Sequence, residues 1–476
     1  MSDNAITLSF SQLHNRFHGA IKGDCQFVNV STDTRSLQKG DVFVALKGPS
    51  FDGHNYIQKA IDLGAAGIII EQPLKGLSDH SIPAWQVTDS YKALAQCATL
   101  KREKYTGKVV AITGSAGKTT VKGMVNAILK QVGNTLATQG NFNNHVGVPL
   151  TVMQASNEHR FMIVEAGASI KGDIRYLVNI IQPHVALVNN VYGAHLEGLE
   201  SLQGVADEKS AIYASFAQPA TAILNLDTDY VNDFIDVIDG EPTKTYSATR
   251  VEQSDVYATH CRLNTVGAAS FTLHEKTGQT CNVNLGVIGQ HNIANALAAA
   301  SICLALNVSL SDIANGLFAY KGDAGRMQAQ TLTDNIVLVD DTYNANTGSL
   351  NGAIDYLASL KNTRTLLLLG DVAELGSAAQ KAHAQFGEYA KKQGVNTLWC
   401  VGDFTQHAAR AFNNTAVADQ IYSNARWFSH QQALIHAFIQ EDFSNTVILA
   451  KGSRSAKMDL IVAALREHFL KVDSPC

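Results

Sequence analysis

The residues best suited to chemistry in this 476-residue chain sit in one short segment. Val109-Val-Ala-Ile-Thr113 is a buried-strand pattern. Gly114-Ser115-Ala116-Gly117-Lys118-Thr119-Thr120 follows it directly, ahead of a helical pattern over 121–129. Strand, glycine loop and helix are the context that a phosphate-binding loop requires. Glycines let backbone N–H groups turn inward around an anion, and the helix N-terminus adds its positive end. Lys118 then reaches β- and γ-phosphates, and Thr119 is placed to ligate Mg²⁺. Ile112 stands where the full motif has its first glycine, so this is the short GxxGK[ST] form.

Further polar residues follow other apolar runs. Glu165 ends Phe161-Met-Ile-Val164, and a carboxylate at a strand end beside such a loop suits a second Mg²⁺ ligand, since Mg²⁺ takes a few protein oxygens plus phosphates. A lone Glu there is more often an ordinary surface residue. Asn189-Asn-Val-Tyr-Gly-Ala-His195 also follows an apolar run, and Lys209 lies fourteen residues beyond His195. Read singly, His195 is a structural or solvated histidine, and Lys209 is a cation unable to bind metal. The amides of Gly140-Asn141-Phe-Asn143-Asn144-His145 suit a substrate, a phosphate or a simple turn equally. Asp340-Asp341-Thr-Tyr343-Asn344-Ala-Asn346, Gly370-Asp371-Val-Ala-Glu374-Leu-Gly376 and Lys451-Gly-Ser453-Arg454 are three polar loops after three apolar runs, consistent with one rim.

These residues need a scaffold, and strand-like and helix-like segments alternate almost throughout, which favours α/β architecture. The length suggests about three domains. A small mixed α/β unit is expected over 1–105, with strands in Asp41-Val-Phe-Val-Ala-Leu and Gly67-Ile-Ile-Ile and a helix over 56–63. The polar run Lys101-Arg-Glu-Lys-Tyr-Thr-Gly-Lys marks its end. A central P-loop mononucleotide-binding domain with a mostly parallel sheet is expected over 106–325, with strands at 109–113, 161–164, 185–188 and 222–226 and a helix over 292–306. A C-terminal Rossmann-like α/β domain is expected over 326–476, with strands at 336–339, 365–369, 397–401 and 446–450. Ligands of such sheets bind beyond the carboxyl ends of the strands, where the polar loops lie.

Apolar residues make up 46% of the chain and charged residues 17%, ample for large cores, and the formal charge of −5 with no basic stripe argues against a nucleic-acid partner. The seven cysteines have no CxxC spacing. They read as free thiols of a reducing cytoplasm rather than a disulfide framework or zinc site. The first residues lack a basic segment followed by an apolar run, and no stretch of about 18 apolar residues occurs. A cytoplasmic protein without a membrane span is expected.

Taken together the motifs resemble the Mur ligases, amide-forming enzymes that extend the peptide of the bacterial cell-wall precursor. The resemblance runs over essentially the whole chain. It rests on Ser31-Thr-Asp33-Thr34-Arg35 with Gly40-Asp41-Val-Phe43 and Asp52-Gly53-His54, on the short phosphate loop, on Gly289-Gln-His291-Asn292-Ile-Ala-Asn295, and on the three C-terminal loops. The C-terminal loops are most similar to those of the member that adds D-alanyl-D-alanine to UDP-N-acetylmuramoyl-tripeptide. The chain departs from that member's usual pattern at Thr347, often Pro, and at Val372, often Met. A lysine-type or diamino-acid-type sister enzyme usually carries an Asp-Asn-Pro-Arg-like motif, which is absent.

The resemblance implies roles. Lys118 binds phosphate, with Gly114, Ser115, Ala116, Gly117, Thr119 and Thr120 around ATP. Thr119 and Glu165 hold a first Mg²⁺. His195 and Lys209 serve a second, Lys209 as a carbamate formed with CO₂, which turns a cation into an oxygen ligand. Lys118, His195 and Lys209 are the implied catalytic set. Asn292 meets adenine, and Arg326 and Asp341 meet the ribose region. Thr34, Arg35, Ser50 and Asp52 lie near the uridine nucleotide, and Asn143, Asn144, Tyr343, Asn344 and Asn346 near the remaining substrate. Reaction through an acyl phosphate is implied, a monomer is expected, and the glycines at 322 and 325 lead us to expect a hinge near residues 321–326.

Overall fold

The computed structural model describes residues 4–72, 82–264, 267–333, 335–360, 363–417 and 424–472, with side chains to 469. Three main sheets follow one another along the chain. The first has five strands in the order Ala20–Lys22, Ala84–Gln86, Gly67–Ile70, Val42–Val44, Val30–Ser31, parallel except at the Ala20–Lys22 edge. A short antiparallel pair, Leu8–Ser9 with Gln26–Phe27, lies apart from it.

The run at Lys101, read from sequence as a polar boundary, is the end of the helix Ser90–Lys104. Lys101 and Arg102 are buried there. Their side chains donate to backbone carbonyls: Lys101 to Val28 O, and Arg102 to Ile181 O and Gln182 O at 2.7 and 2.6 Å. The last two carbonyls close the helix Asp173–Ile181, so this helix end fastens the first unit to the second.

The central sheet has nine strands. Its parallel part runs Val256–Leu263, Thr243–Ser247, Thr221–Asn225, Val185–Val188, Lys108–Thr113, Phe161–Glu165, Thr135–Ala137. The strands Val110 to Ile112, Met162 to Val164 and Val185 to Val188 are almost wholly buried, as expected where helices cover both faces of a parallel sheet. Ala268–Glu275 and Thr280–Ile288 then extend the sheet antiparallel. Sequence reading missed this meander, since its strands mix Thr, Asn, His and Glu with apolar residues and have one half-exposed face.

The third sheet runs Gln328–Thr333, Ile336–Asp341, Thr446–Lys451, Arg364–Gly370, Thr397–Val401, Asn424–Phe428, with only the first pair antiparallel. The four strands expected here occur in place. The two edge strands were missed because they are more polar and half exposed. The coil joining the second and third units carries positive φ at Gly322 (87°) and Gly325 (71°).

Candidate active site

The phosphate loop lies where the central strand Lys108–Thr113 gives way to the helix Lys118–Leu129. Gly117 caps that helix at φ 75°, a left-handed conformation natural to glycine. The loop is braced from behind. Asn190 O accepts from Ser115 N at 3.0 Å, and Asn190 Oδ1 from Ala116 N at 2.8 Å. Asn189 and Asn190 both donate to Ala116 O at 3.0 Å. Ser115 Oγ in turn donates to Tyr192 O and accepts from Tyr192 N. The Ser115 and Ala116 amides thus have protein partners, and the amides of the first helical turn are placed to serve as anion donors. Asn189 and Asn190 were legible as polar residues after a strand, but nothing in their spacing signalled that they hold the loop.

An amide relay continues inward. Asn189 donates to Asn295 Oδ1 at 3.1 Å, Asn295 to Asn292 Oδ1 at 2.8 Å, and Asn292 to Ile288 O at 2.7 Å. Asn292 is buried with both ends of its amide engaged. This relay anchors the helix Asn292–Ala305 behind the loop.

Thr119 Oγ1 donates to Glu165 Oε2 at 2.9 Å, and Asn143 Nδ2 donates to Oε1 of the same carboxylate at 2.9 Å. Glu165 is 2% exposed, so it is a buried carboxylate facing the loop rather than a surface residue. Lys118 Nζ donates to Gly114 O at 2.7 Å. Burial lowers the Lys118 pKa, nearby Glu165 opposes the shift, and the guanidinium of Arg326 adds to it. Lys209 is 1% exposed. Burial, then repulsion from Lys118, pulls it down to about 7, so a large fraction is a neutral amine near neutral pH. His195 is likewise lowered by burial, against the opposing pull of Glu374.

The C-terminal unit closes over this group. Asn346 Nδ2 donates to Ser115 O at 3.0 Å while Asn346 also caps the helix Thr347–Ser359. His195 Nδ1 lies 2.8 Å from Glu374 Oε2. Arg326 stacks on Tyr343 at 4.2 Å. Asp341 accepts from Met327 N and pairs with buried Lys451, which also donates to Asn344 O at 3.2 Å.

One cavity of about 1320 Å³ collects most of the expected residues: Ser115, Ala116, Gly117, Lys118, Thr119, Thr120, Asn143, Asn144, Glu165, His195, Asn292, Arg326, Asp341, Tyr343, Asn344 and Asn346 all line it. Gly114 and Lys209 are not among its lining residues. Thr34, Arg35, Ser50 and Asp52 are not brought to it. Arg35 is held by Asp33, and Asp52 by His54. The first unit nevertheless approaches the cavity, since Tyr91 packs on the lining residue His145 at 5.5 Å between ring centres. Asp227, Tyr230, Asp355 and Tyr389 also line it, and no sequence signal had selected them.

Three family models match the chain in succession: the Mur ligase family catalytic domain over residues 26–100, the Mur ligase middle domain over 112–303, and the Mur ligase glutamate ligase domain over 325–454. The chain is 38% identical, over 97% of its length and 99% of the relative's, to the UDP-N-acetylmuramoyl-tripeptide–D-alanyl-D-alanine ligase of Escherichia coli (strain K12). The chain belongs to the Mur ligase family. As a Mur ligase it is an ATP-dependent, ADP-forming peptide ligase. Among solved structures, a crystal structure of MurF from Acinetobacter baumannii matches with a TM-score of 0.87 at 31% identity, covering 98% of this chain and 100% of that one. The MurF ligase of Thermotoga maritima, solved in complex with ADP, shares the fold at a TM-score of 0.78 and 23% identity, covering 93% and 98%.

Proposed function

We propose that this Mur ligase joins the terminal carboxylate of UDP-N-acetylmuramoyl-tripeptide to the amine of D-alanyl-D-alanine in peptidoglycan precursor synthesis. The single cavity that gathers the phosphate loop, Glu165, His195 and the C-terminal polar loops carries the reading, together with the named relatives spanning the whole chain.

A carboxylate is a poor acylating agent because its leaving group is oxide. Attack of the tripeptide carboxylate on the γ-phosphate of ATP gives an acyl phosphate and ADP. The amine of D-alanyl-D-alanine then attacks that carbonyl and expels phosphate. The chain's task is positioning and charge neutralisation. Lys118 and the first-turn amides bind the phosphates, and Arg326 brings a second cation near Lys118. Asn143 orients Glu165. The C-terminal loops exclude water that would hydrolyse the acyl phosphate.

The residues present suit Mg²⁺. The Thr119 hydroxyl and the buried Glu165 carboxylate meet at 2.9 Å beside the phosphate loop, an oxygen pair that suits an ion drawing its other ligands from phosphate and water. Thr119 and Glu165 would hold one ion. His195 and a carbamylated Lys209 would hold a second. The lowered Lys209 supports the carbamate, because CO₂ adds only to a neutral amine. Bound Mg²⁺ would supply charge neutralisation at the phosphates. Thr34, Arg35, Ser50 and Asp52 are proposed to meet the uridine nucleotide, Asn292 the adenine, and Asp341 the ribose region. Asn144, Tyr343, Asn344 and Asn346 are proposed to meet the rest of the substrate. Domains of 1–105, 106–325 and 326–476, a monomeric state and a cytoplasmic location complete the reading. No helix among the described residues is long and apolar enough to cross a membrane.

Phosphate release from ATP and Mg²⁺ with UDP-muramoyl tripeptide, with and without D-alanyl-D-alanine, tests the proposal. Release requiring both, with a product heavier by the dipeptide, is the expected result. Release that ignores the dipeptide but answers to a single amino acid would transfer the chain to a sister activity.

A further inference from the structure

Glu374 reaches His195 from a different unit of the chain, and the loop that presents it is unusually well held. Asp371 accepts the amides of Asp403, Phe404 and Thr405 at 2.9 to 3.0 Å. Its own carbonyl accepts from Ser453 N at 2.9 Å. Val372 N donates to His383 Nε2 at 3.0 Å, and that ring is fixed in turn by Ala379 O. Ala373 N donates to Ser453 Oγ at 2.8 Å. Three successive residues are therefore tied to three different elements, and the next, Glu374, holds φ of 63°. His195 also has positive φ, at 54°. Non-glycine residues in this region are strained and persist where the surroundings impose them. Here the two strained residues meet at 2.8 Å, and the Glu374 side chain is otherwise 56% exposed.

We infer that Glu374 is a positioning residue for His195, engaging ring Nδ1 so that Nε2 is the nitrogen offered to the cavity, and that it does so only when the C-terminal unit is closed. The inference rests on the proposed role of His195 at a divalent cation. Imidazole ligands commonly hand their second nitrogen to a carboxylate, which fixes the tautomer and the ring orientation and raises ligand basicity. In this chain the carboxylate comes from another unit, so His195 becomes a fully oriented ligand only on closure. Closure by Asn346 on Ser115 and of Tyr192 against Gly348 thereby coincides with completion of the cation site. The arrangement ties activation of the carboxylate to a cavity already shut to water.

The test is Mn²⁺ binding followed by electron paramagnetic resonance on the full chain, with a non-hydrolysable ATP analogue and UDP-muramoyl tripeptide present. E374A is expected to weaken one class of bound Mn²⁺ by about 10–100-fold, the usual loss when such a partner is removed, and to leave the other class unchanged. E374Q, which keeps the shape and a carbonyl acceptor without the charge, should lie between E374A and the parent, guarding against a folding artefact. A residue serving only as a latch would change the scattering-derived dimensions of the unliganded chain without changing Mn²⁺ affinity in the closed complex. Parental affinity at both classes in E374A would overturn the inference. H195A separates the two readings. If it loses a class that E374A retains, only the role of Glu374 fails. If it too retains both, the cation role of His195 fails and the inference falls with it.

Discussion

Replacing Gly117 by alanine tests how tightly the phosphate loop is sprung against the relay behind it. A Cβ at Gly117 would fall 2.6 Å from Asn295 Oδ1 and 2.7 Å from Asn189 Nδ2. Those atoms are bonded to each other at 3.1 Å, and Asn295 is tied onward to Asn292. All three asparagines are buried, so the amides have no solvent to retreat into. The φ of 75° adds about 1–2 kcal/mol for an L-residue. Parting the Asn189–Asn295 bond adds about 1 kcal/mol. The sum, about 2–3 kcal/mol, corresponds to a melting temperature lower by roughly 5–10 °C for a domain of this size. The alternative to parting the bond is movement of the loop toward the phosphates, and misplacement on the order of 1 Å costs about 10²-fold in rate. Thermal melting and ATP-dependent phosphate release measure the two effects. Gly140→Ala is the control: its φ is 52° but nothing lies within 4 Å of the added Cβ, so only the backbone cost applies. If G117A melts and turns over like G140A, the clash with the relay is not real and the reasoning fails.

Lys209 makes stability depend on pH in a predictable direction. Its folded pKa of about 7 lies below the roughly 10.4 of an unfolded lysine. Between those values the unfolded chain holds a proton that the folded chain has released, so the unmodified protein gains stability as pH rises from about 7 to about 10.4, and is least favoured below 7, where it carries a buried ammonium. K209M is therefore expected to raise the melting temperature at pH 6 while abolishing ligation, and a lower melt than the parent at pH 6 would contradict this. Glu208 accepts from Gly172 N and Ile174 N at 2.6 Å each, at the start of the helix Asp173–Ile181; E208A should cost about 1–3 kcal/mol by leaving the buried Ile174 amide unpaired, read as a shift in the denaturant midpoint. N346A removes both a helix cap and the contact to Ser115, with an expected loss of about 0.5–2 kcal/mol and a larger radius of gyration in solution scattering with ligands bound. Hinging at residues 321–326 predicts compaction on adding nucleotide and muramoyl tripeptide; scattering profiles identical with and without them would count against it.

Elements whose signal is local were legible in the amino-acid order alone. The phosphate loop needed only its strand, two glycines and a helix. The buried parallel strands at 185–188 and 397–401 announced themselves as short apolar runs, because a strand covered on both faces carries no polar alternation. Features that depend on residues far apart in sequence emerge only with the folded packing. The strands Ala268–Glu275 and Thr280–Ile288 are half exposed, and their mixed composition has meaning only once a neighbour occupies one face. Lys101 and Arg102 looked like a solvated linker until carbonyls from Val28, Ile181 and Gln182 came within reach. Glu165 and Lys209 have bland local contexts. One becomes a buried carboxylate on Thr119 and Asn143, the other a buried amine lowered by Lys118, only because the central sheet and its helices bring these segments to one place. Glu374 finds His195 from 179 positions away in the chain. Burial and charge proximity are properties of packing, and no spacing rule within a single segment encodes them.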